Sequence, residues 1–312
     1  MAQYTILQKT AIQAILSRYG IATVTDWKLL EGGSANTNYW ISTPEAQLVL
    51  TICEAKNAQQ TQELAGLLEY LHQAGFSTSK VIRNLSQQLV EFWEGKPVIL
   101  KEYLIGQVME SLPSHLLESV GQQLGKLHLL AAPDYVPKTI DYGLEAFAEM
   151  ETYAPNSVFY IWLKEIQQYV SEYNLPNLPK ALIHSDLFYN NIIVDAVQSK
   201  AIIMDFEEAS DYYRVFDLGM TITGVCSQST EVDLAQVKHL LLGYQQVIQL
   251  LDVEIEALQA FIVYAAAATA FWRYRQYHVL NPEPAMQNHY LLMKNLADSV
   301  RSLSKTCFTD LF

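Results

Sequence analysis

Three side chains with the chemistry for phosphoryl transfer lie close together between residues 182 and 205. Asp186 is a carboxylate that can accept the proton of an attacking hydroxyl group, and Asn191 follows it along the same stretch. Asp205 stands directly after an apolar run. Carboxylate and amide oxygens are ligands that Mg²⁺ prefers, and such an ion can sit beside a triphosphate. The spacing therefore predicts that Asp186 orients or deprotonates an acceptor while Asn191 and Asp205 hold a metal ion.

Short apolar runs predict the elements that must position these side chains. The runs are 181–183, 192–194 and 201–204. Their β-branched residues and the polar turns between them are typical of strands. Adjacent antiparallel strands would bring Asn191 and Asp205 to the same edge of a sheet. The alternative, in which Asp186 and Asn191 only form turn hydrogen bonds, is disfavoured because the flanking strands are the context that the catalytic spacing requires.

The same segment resembles the aminoglycoside phosphotransferase and choline kinase superfamily of small-molecule kinases, which share the protein-kinase-like fold. Residues 184–191 follow the pattern His-x-Asp-x-x-x-x-Asn of a kinase catalytic loop. Residues 32–40 and 47–54 resemble the N-terminal lobe of bacterial type II homoserine kinases. Residues 205–219 resemble choline and ethanolamine kinases at least as well. The resemblance extends over most of the chain and implies ATP and Mg²⁺ as cofactors.

The resemblance also implies roles for the residues around the catalytic positions. His184 is the tempting alternative base, but its place in the loop favours packing and hydrogen bonding. Asp217 resembles the aspartate that braces the catalytic loop. Glu207 stands where protein kinases have the Gly of Asp-Phe-Gly. If the strand continues beyond Asp205, alternation puts Glu207 on the same side, within reach of a second Mg²⁺. A solvated loop carboxylate is the equal alternative for Glu207.

A turn-rich segment at residues 32–38 stands where protein kinases have a GxGxxG loop. Its backbone amides could still cover phosphates together with polar side chains. The nucleotide-covering candidates in this segment are Ser34, Asn36 and Thr37.

The N-terminal lobe also departs from the kinase pattern at the strand lysine. Thr51 stands at that position, and Lys56 or Lys101 is the candidate substitute. Glu63 stands where the glutamate partner of the lysine would be. Glu102–Tyr103 resembles the hinge whose backbone receives adenine, so these two residues complete the predicted nucleotide-binding set.

An aromatic segment with two arginines, residues 271–278, is the candidate acceptor-binding element. Arginine forms forked hydrogen bonds to carboxylates, so Arg275 or Arg273 could bind an amino-acid carboxylate. Trp272 and its aromatic neighbours could instead surround a quaternary ammonium group. An amphipathic helix with two snorkelling arginines is the third alternative.

Composition excludes several other classes of protein. The 312 residues carry 20 Lys+Arg against 33 Asp+Glu, a net charge of −13 that disfavours nucleic acid and anionic membranes as partners. Three cysteines without a CxxC pair disfavour a disulfide framework. No signal peptide is apparent, and the charge-free stretch 257–272 is too short to span a membrane, so it predicts a buried helix and we expect a cytoplasmic protein.

These observations predict an α+β, protein-kinase-like two-lobe fold. Residues 1–104 would form a small antiparallel-sheet lobe with five strands, and residues 105–312 a mainly helical lobe. The predicted helices are 5–19, 61–74, 114–130, 144–173 with an interruption near Pro155, 218–227, 233–250, 254–277 and a last one ending near Ser304.

The predicted function is an ATP-dependent kinase acting on a hydroxyl group of a small metabolite. Homoserine is the first choice as the acceptor, choline or ethanolamine the second and an aminoglycoside the third. A protein kinase is disfavoured because only residues 206–216 separate Asp205 from Asp217, too few for a long activation loop. A nucleotide-binding module without catalysis is the alternative from another class, supported by Thr51. The oligomeric state, a homodimer included, stays open.

Overall fold

Two compact units make up the chain, Met1–Ile105 and Gly106–Phe312. The computed structural model describes residues 5–30, 36–173, 175–195 and 199–312. The first unit is an antiparallel sheet with two helices, and the second unit is mainly helical, so the predicted α+β fold class is confirmed.

A five-stranded antiparallel sheet forms the centre of the first unit. Its strands are β1 (Asp26–Leu30), β2 (Asn36–Ser42), β3 (Gln47–Cys53), β4 (Glu91–Trp93) and β5 (Lys96–Glu102). They pair in the order β1-β2-β3-β5-β4, which places β3 in the middle. Two helices accompany the sheet, α1 (Lys9–Ser17) and α2 (Ala58–Gln73). α1 buries Ile12, Ile15 and Leu16 in the same core as the apolar face of β2, β3 and β5.

Both helices of this unit begin at other residues than the sequence predicts. α2 begins at Ala58 because Asn57 and Gln60 exchange side-chain and backbone hydrogen bonds in a capping box. α1 begins only at Lys9, since the preceding residues are held in extended form. The amide of Thr5 donates to Glu54 and the amide of Leu7 donates to the hydroxyl of Tyr39.

Helices dominate the second unit. They are α3 (Ser114–His128), α4 (Met150–Tyr153), α5 (Val158–Ser171), α6 (Arg214–Val225), α7 (Leu234–Gln245), α8 (Asp252–Tyr274), α9 (His289–Ser302) and α10 (Thr306–Thr309). The predicted interruption near Pro155 lies between α4 and α5, where the side chain of Ser157 caps the new helix by accepting from the amide of Tyr160. α8 continues into a π-helical turn, Arg275–Leu280.

Two small two-stranded antiparallel sheets carry the predicted catalytic segment. β7 (Ile192–Asp195) pairs with β8 (Lys200–Ile203), as the apolar runs predict. β6 (Lys180–Ile183) pairs with β9 (Ser210–Tyr213), a strand that the sequence analysis missed. Ser210 and Asp211 make β9 too polar to show as an apolar run. β9 ends at Tyr213, and α6 begins at the next residue, Arg214, instead of at residue 218.

α8 is the core helix of the second unit. Every residue from 257 to 271 is buried, which confirms the predicted buried helix. The helix, counted with its π-helical turn, is long and apolar enough to cross a membrane by length and composition, but 78% of its most apolar window is buried inside the protein. Such burial is typical of the central helix of a globular core.

Glycines let α3 and α7 approach until their backbones touch. A Cβ added to Gly121 would overlap the carbonyl oxygen of Leu240, and one added to Gly243 would overlap that of Glu118. The close helix contact that the spacing of Gly121 and Gly125 predicts is therefore present. α3 matters for the site because it ends in His128, which lies beside the catalytic segment.

We expect Gly121→Ala to destabilise the protein by about 1–3 kcal/mol or more, because the methyl group meets backbone that cannot rotate away. Lys126→Ala, an exposed position on the same helix, is the matched control and should cost less than about 0.5 kcal/mol. Chemical denaturation of both variants measures the difference. Equal midpoints for the two variants would contradict the close contact between α3 and α7.

Candidate active site

The β7–β8 hairpin brings the two predicted metal ligands together. Ile192 pairs with Ile203, and the amide of Met204 donates to the carbonyl of Asn191 at 3.0 Å. Asn191 therefore lies beside the residue that directly precedes Asp205. The juxtaposition expected from the strand pattern is present in the structure.

A buried carboxylate on α6, Asp217, fixes the start of the catalytic loop. Its two oxygens accept hydrogen bonds from the amides of His184 and Ser185, both at 2.8 Å. His128 contacts the same carboxylate through Nε2 at 3.1 Å, and its Nδ1 lies 2.8 Å from the hydroxyl of Tyr244. A carboxyl group suits this position because each of its two oxygens can accept one of the two amide hydrogen bonds. Asp217 thus has the contacts expected of a structural brace.

His184 links the catalytic loop to the segment around Asp205. Its Nε2 lies 2.9 Å from the carbonyl oxygen of Met204, and its Nδ1 accepts from the amide of Asp186 at 3.3 Å. The imidazole also packs edge-on against Phe206, with ring centroids 4.9 Å apart. Since both ring nitrogens have backbone partners, the contacts favour a structural role for His184 over that of a base.

Asp186 carries a carboxylate whose ionisation is disfavoured. Burial, with the nearby charges of Asp205 and Glu208, raises the pKa of Asp186 to about 7, against the opposing effects of Asn191 and Arg273. The side-chain nitrogen of Asn191 donates to the backbone oxygen of Asp186 at 2.8 Å and to its carboxylate at 3.3 Å. A carboxyl group with a pKa near neutrality is suited to accept a proton from an alcohol.

The backbone around these groups adopts strained conformations. Ser185 has φ +71° and Asp205 has φ +68°, the left-handed region that residues other than glycine rarely adopt. Such strain clusters at functional sites, where the surrounding structure holds it in place. Here it turns both chain segments sharply, directly before Asp186 and directly after β8.

The sharp turn at Asp205 removes the reason for assigning Glu207 to a metal. β8 ends at Ile203, and Glu207 lies in a turn that the amide of Ala209 closes by donating to the carbonyl of Phe206. Strand alternation therefore does not continue from Asp205 to Glu207, and that premise of the sequence analysis is wrong. Glu208 is instead the carboxylate that acts electrostatically on Asp186. In the sequence, the only indication of a role for Glu208 is that it directly follows Glu207.

The donor set of this segment fits a hard divalent cation. The nitrogen of the Asn191 amide is engaged with Asp186, so its oxygen is the atom left to serve as a ligand. Clustered carboxylates repel one another, and a cation among them would relieve the repulsion that raises the pKa of Asp186. In the parts of the chain that the structure describes, no group of three or more His, Cys, Asp or Glu side chains forms a metal cage. A Mg²⁺ site completed by phosphates and water needs no such cage.

The residues predicted to cover the nucleotide differ in what the structure shows of them. Ser34 lies outside the described residues, and Asn36 is buried at the first residue of β2. Thr37 is fully buried, and its hydroxyl donates to Glu54 at 2.6 Å. Lys96 also donates to Glu54, and the bonds around this carboxylate hold its pKa below the usual value although burial alone would raise it. Thr37 therefore belongs to a structural cluster.

In the described part of the first unit, the positions of the strand lysine and of its glutamate partner both bond to neutral side chains. Thr51 donates to the side chain of Asn38 at 2.7 Å, and Glu63 accepts from Gln59 at 2.9 Å. Within the described residues, Glu63 forms no ion pair. Lys101 lies on β5, directly opposite Val49.

The predicted hinge residues already use their amide groups. The amide of Glu102 donates to Lys80 and that of Tyr103 donates to Gln47, at 2.8 and 3.1 Å. An adenine at this position would therefore meet the carbonyl groups of Glu102 and Tyr103 or the residues that follow.

The two arginines at the end of α8 differ in their surroundings. Arg275 is paired with Glu149 at 3.1 Å and donates to the carbonyl of Asp141 at 2.9 Å, so its Nη1 is engaged and its charge has an acidic partner. Arg273 donates one long hydrogen bond, 3.4 Å, to the carbonyl of His289. Trp272 packs edge-on against Tyr277, with ring centroids 6.3 Å apart. Of the two arginines, Arg273 is the one near Asp186.

Comparison with known proteins agrees with this site. A profile of the phosphotransferase enzyme family matches residues 26–250. The chain belongs to this family and is a phosphotransferase. A homoserine kinase of Pseudomonas aeruginosa is 27% identical over 250 residues, which cover 78% of this chain and 79% of that protein.

Solved structures of small-molecule kinases share the fold. An amicoumacin kinase in complex with AMP-PNP, Ca²⁺ and Ami superposes with a TM-score of 0.72 at 17% identity, covering 94% of this chain and 96% of that chain. The ethanolamine kinase of Plasmodium vivax has a TM-score of 0.69 at 12% identity, covering 100% and 94%. The resemblance stated from the sequence is confirmed at the level of the family and the fold.

We expect Asp186→Asn to stabilise the metal-free, nucleotide-free protein at neutral pH by about 1–3 kcal/mol. The amide keeps an oxygen for Asn191 but removes a charge that folding must desolvate. The folded pKa of about 7 lies above the usual 3.8. The folded protein therefore holds an extra proton between these values, and the wild type loses stability as pH rises through that range. The melting temperature measured in EDTA should show a gain for the variant that is small at pH 5 and larger at pH 8.

A gain that is the same at both pH values would mean that the pKa of Asp186 is not raised in the folded protein. Asp195→Asn, on β7 at some distance along the hairpin, is the matched control for replacing one carboxylate by an amide.

Proposed function

We propose that this protein is an ATP- and Mg²⁺-dependent kinase that transfers the γ-phosphate to a hydroxyl group of a small metabolite. The observation that carries the proposal is the placement of Asp186. The Asp217 brace and the Asn191 side chain hold its loop beside the hairpin that ends at Asp205. Membership of the phosphotransferase enzyme family supports the reaction class.

The residues of the chain divide the chemistry between them. Asp186 accepts a hydrogen bond from the acceptor hydroxyl, orients its oxygen for in-line attack and takes its proton as the bond to phosphorus forms. Asn191 holds the Asp186 carboxylate in place through its amide nitrogen. Asp205 and the amide oxygen of Asn191 are the metal ligands. A Mg²⁺ ion held by these two residues would supply positive charge to neutralise the phosphate.

Homoserine is our first choice for the acceptor. The similarity to a homoserine kinase over 78% of the chain supports this choice, although an identity of 27% leaves room for a changed substrate. Choline or ethanolamine is the second choice because the acidic groups around Asp186 would also suit a cationic alcohol. An aminoglycoside is the third. The burial of α8 and the net charge of −13 support a cytoplasmic enzyme without nucleic-acid or membrane partners.

A coupled assay of ADP release tests the function. The acceptor panel contains homoserine, choline, ethanolamine, hydroxylysine and kanamycin, each with MgATP. We expect release with one acceptor far above the background hydrolysis. Asp186→Asn should then lower kcat on the order of 10²-fold or more while nucleotide affinity is kept, because Asp186 acts on the acceptor.

Two outcomes would refute the assignment. Near-full kcat in Asp186→Asn would remove Asp186 from catalysis. Metal-dependent ATP binding without turnover of any acceptor would favour the non-catalytic module, for which the absence of a lysine at Thr51 is the supporting observation.

Asp205 should act on the nucleotide through the cation. We expect Asp205→Asn to weaken binding of MgATP by about tenfold or more and to leave metal-free ATP binding unchanged. Asparagine is the appropriate replacement because it tolerates the positive φ of this position. Calorimetry with and without Mg²⁺ measures both affinities. Equal losses in the two titrations would make Asp205 a structural carboxylate.

A further inference from the structure

Two arginines among the described residues, Arg273 and Arg301, form no ion pair with a carboxylate, and of these only Arg273 is partly buried. Glutamates pair with Arg18, Arg83, Arg214 and Arg275. Arg301 lies over the ring of Tyr169. Arg273, among the residues that the structure describes, forms no ion pair and makes the single long hydrogen bond to His289.

The surroundings of Arg273 make this lack of a partner costly. The side chain is partly buried, and burial lowers its pKa against the opposing effects of Tyr277 and Asp186. A guanidinium partly withdrawn from water loses solvation, and here only the long hydrogen bond to His289 and the charge of Asp186 offset that loss. A ligand that brings a carboxylate to Arg273 would supply the missing partner in forked geometry.

A second polar group without a partner lies next to Arg273. The Nδ1 atom of His289 is buried and has no hydrogen-bond partner within the described part of the chain. The carbonyl of this same residue accepts the bond from Arg273. Burial and the charge of Arg273 both lower the pKa of His289, so its imidazole is neutral at pH 7 and one ring nitrogen can donate.

The π-helical turn after α8 contributes an aromatic side chain beside Arg273 and His289. Tyr277 packs against Trp272, five positions earlier, and against the ring of His289, with centroids 6.3 and 6.0 Å apart. Single π-helical turns of this kind occur frequently at functional sites. The result is an aromatic surface carrying one cation, within electrostatic reach of the carboxylate of Asp186.

We infer that Arg273 and His289 bind the carboxylate of the acceptor, so that the enzyme selects alcohols bearing an α-amino acid group over plain amino alcohols. This inference rests on the proposed kinase function. Glu208 suits the ammonium of such a zwitterion, Arg273 suits its carboxylate, and Asp186 remains the partner of its hydroxyl group. Choline and ethanolamine carry no carboxylate that could pair with Arg273.

Two acceptors that differ only by the carboxylate test the inference. Homoserine without its carboxylate is 3-aminopropan-1-ol, and kcat/KM is measured for both. We expect Arg273→Met to lower kcat/KM about 100-fold for homoserine and less than about threefold for 3-aminopropan-1-ol. His289→Phe keeps the ring contact with Tyr277 and should lower only the homoserine value, by about tenfold.

Arg275→Met is the matched control. It loses the ion pair with Glu149, so the melting temperature should fall, and kcat/KM should change by the same small factor for both acceptors. Circular dichroism establishes that each variant is folded. Equal losses for both acceptors in Arg273→Met would overturn the inference, as would a wild type that prefers 3-aminopropan-1-ol to homoserine.

Failure of the proposed function would give a different result. If the wild type releases ADP with neither acceptor, binding of both compounds is measured by calorimetry. Tighter binding of homoserine that Arg273→Met abolishes would support the carboxylate site without the kinase reaction. Equal affinity for the two compounds would overturn it.

Discussion

The hydrogen bonds to Asp217 are the interaction on which the site depends. A single buried carboxylate holds the amides of His184 and Ser185 and contacts His128, so it connects α6, the catalytic loop and α3. The backbone of the loop between β6 and β7 is strained at Ser185, one of the two residues whose amides Asp217 holds. Removal of this carboxylate would leave two buried amides unsatisfied and release that strain.

Around Asp186 the protein places carboxylates that repel one another and an arginine that has no ion pair among the described residues. Asp205 and Glu208 repel Asp186, while Arg273 attracts it without an ion pair of its own. Elsewhere the protein satisfies buried charges locally: Arg214 bonds Glu254 at 2.6 Å, and Glu254 also accepts from the amide of Leu251. Under the proposed function, a bound cation and acceptor would supply the partners that Asp186 and Arg273 lack among the described residues.

The sequence predicts the parts of the structure that depend on apolar periodicity or on a fixed spacing. The β7–β8 hairpin, the buried α8 and the approach of α3 to α7 all follow from such patterns. It does not predict features that depend on distant partners. β9 is polar and becomes a strand only because β6 pairs with it. Arg275 forms an ion pair with Glu149, a residue far away in the sequence, and Arg273 does not. The sequence alone therefore does not predict which of the two arginines is unpaired.

Close packing of α6 against α8 explains how the two sides of the site keep their spacing. A Cβ on Gly219 would overlap the carbonyl of Phe261, and the rings of Phe216 and Tyr264 lie 4.6 Å apart. α6 carries the brace of the Asp186 loop, and Arg273 lies in the last turn of α8. Because backbones in direct contact cannot slide without creating overlap or voids, the distance between these two groups is set by the core. If Asp186 and Arg273 bind the acceptor as proposed, a rigid frame of this kind would select acceptors by the separation between their hydroxyl and their carboxylate.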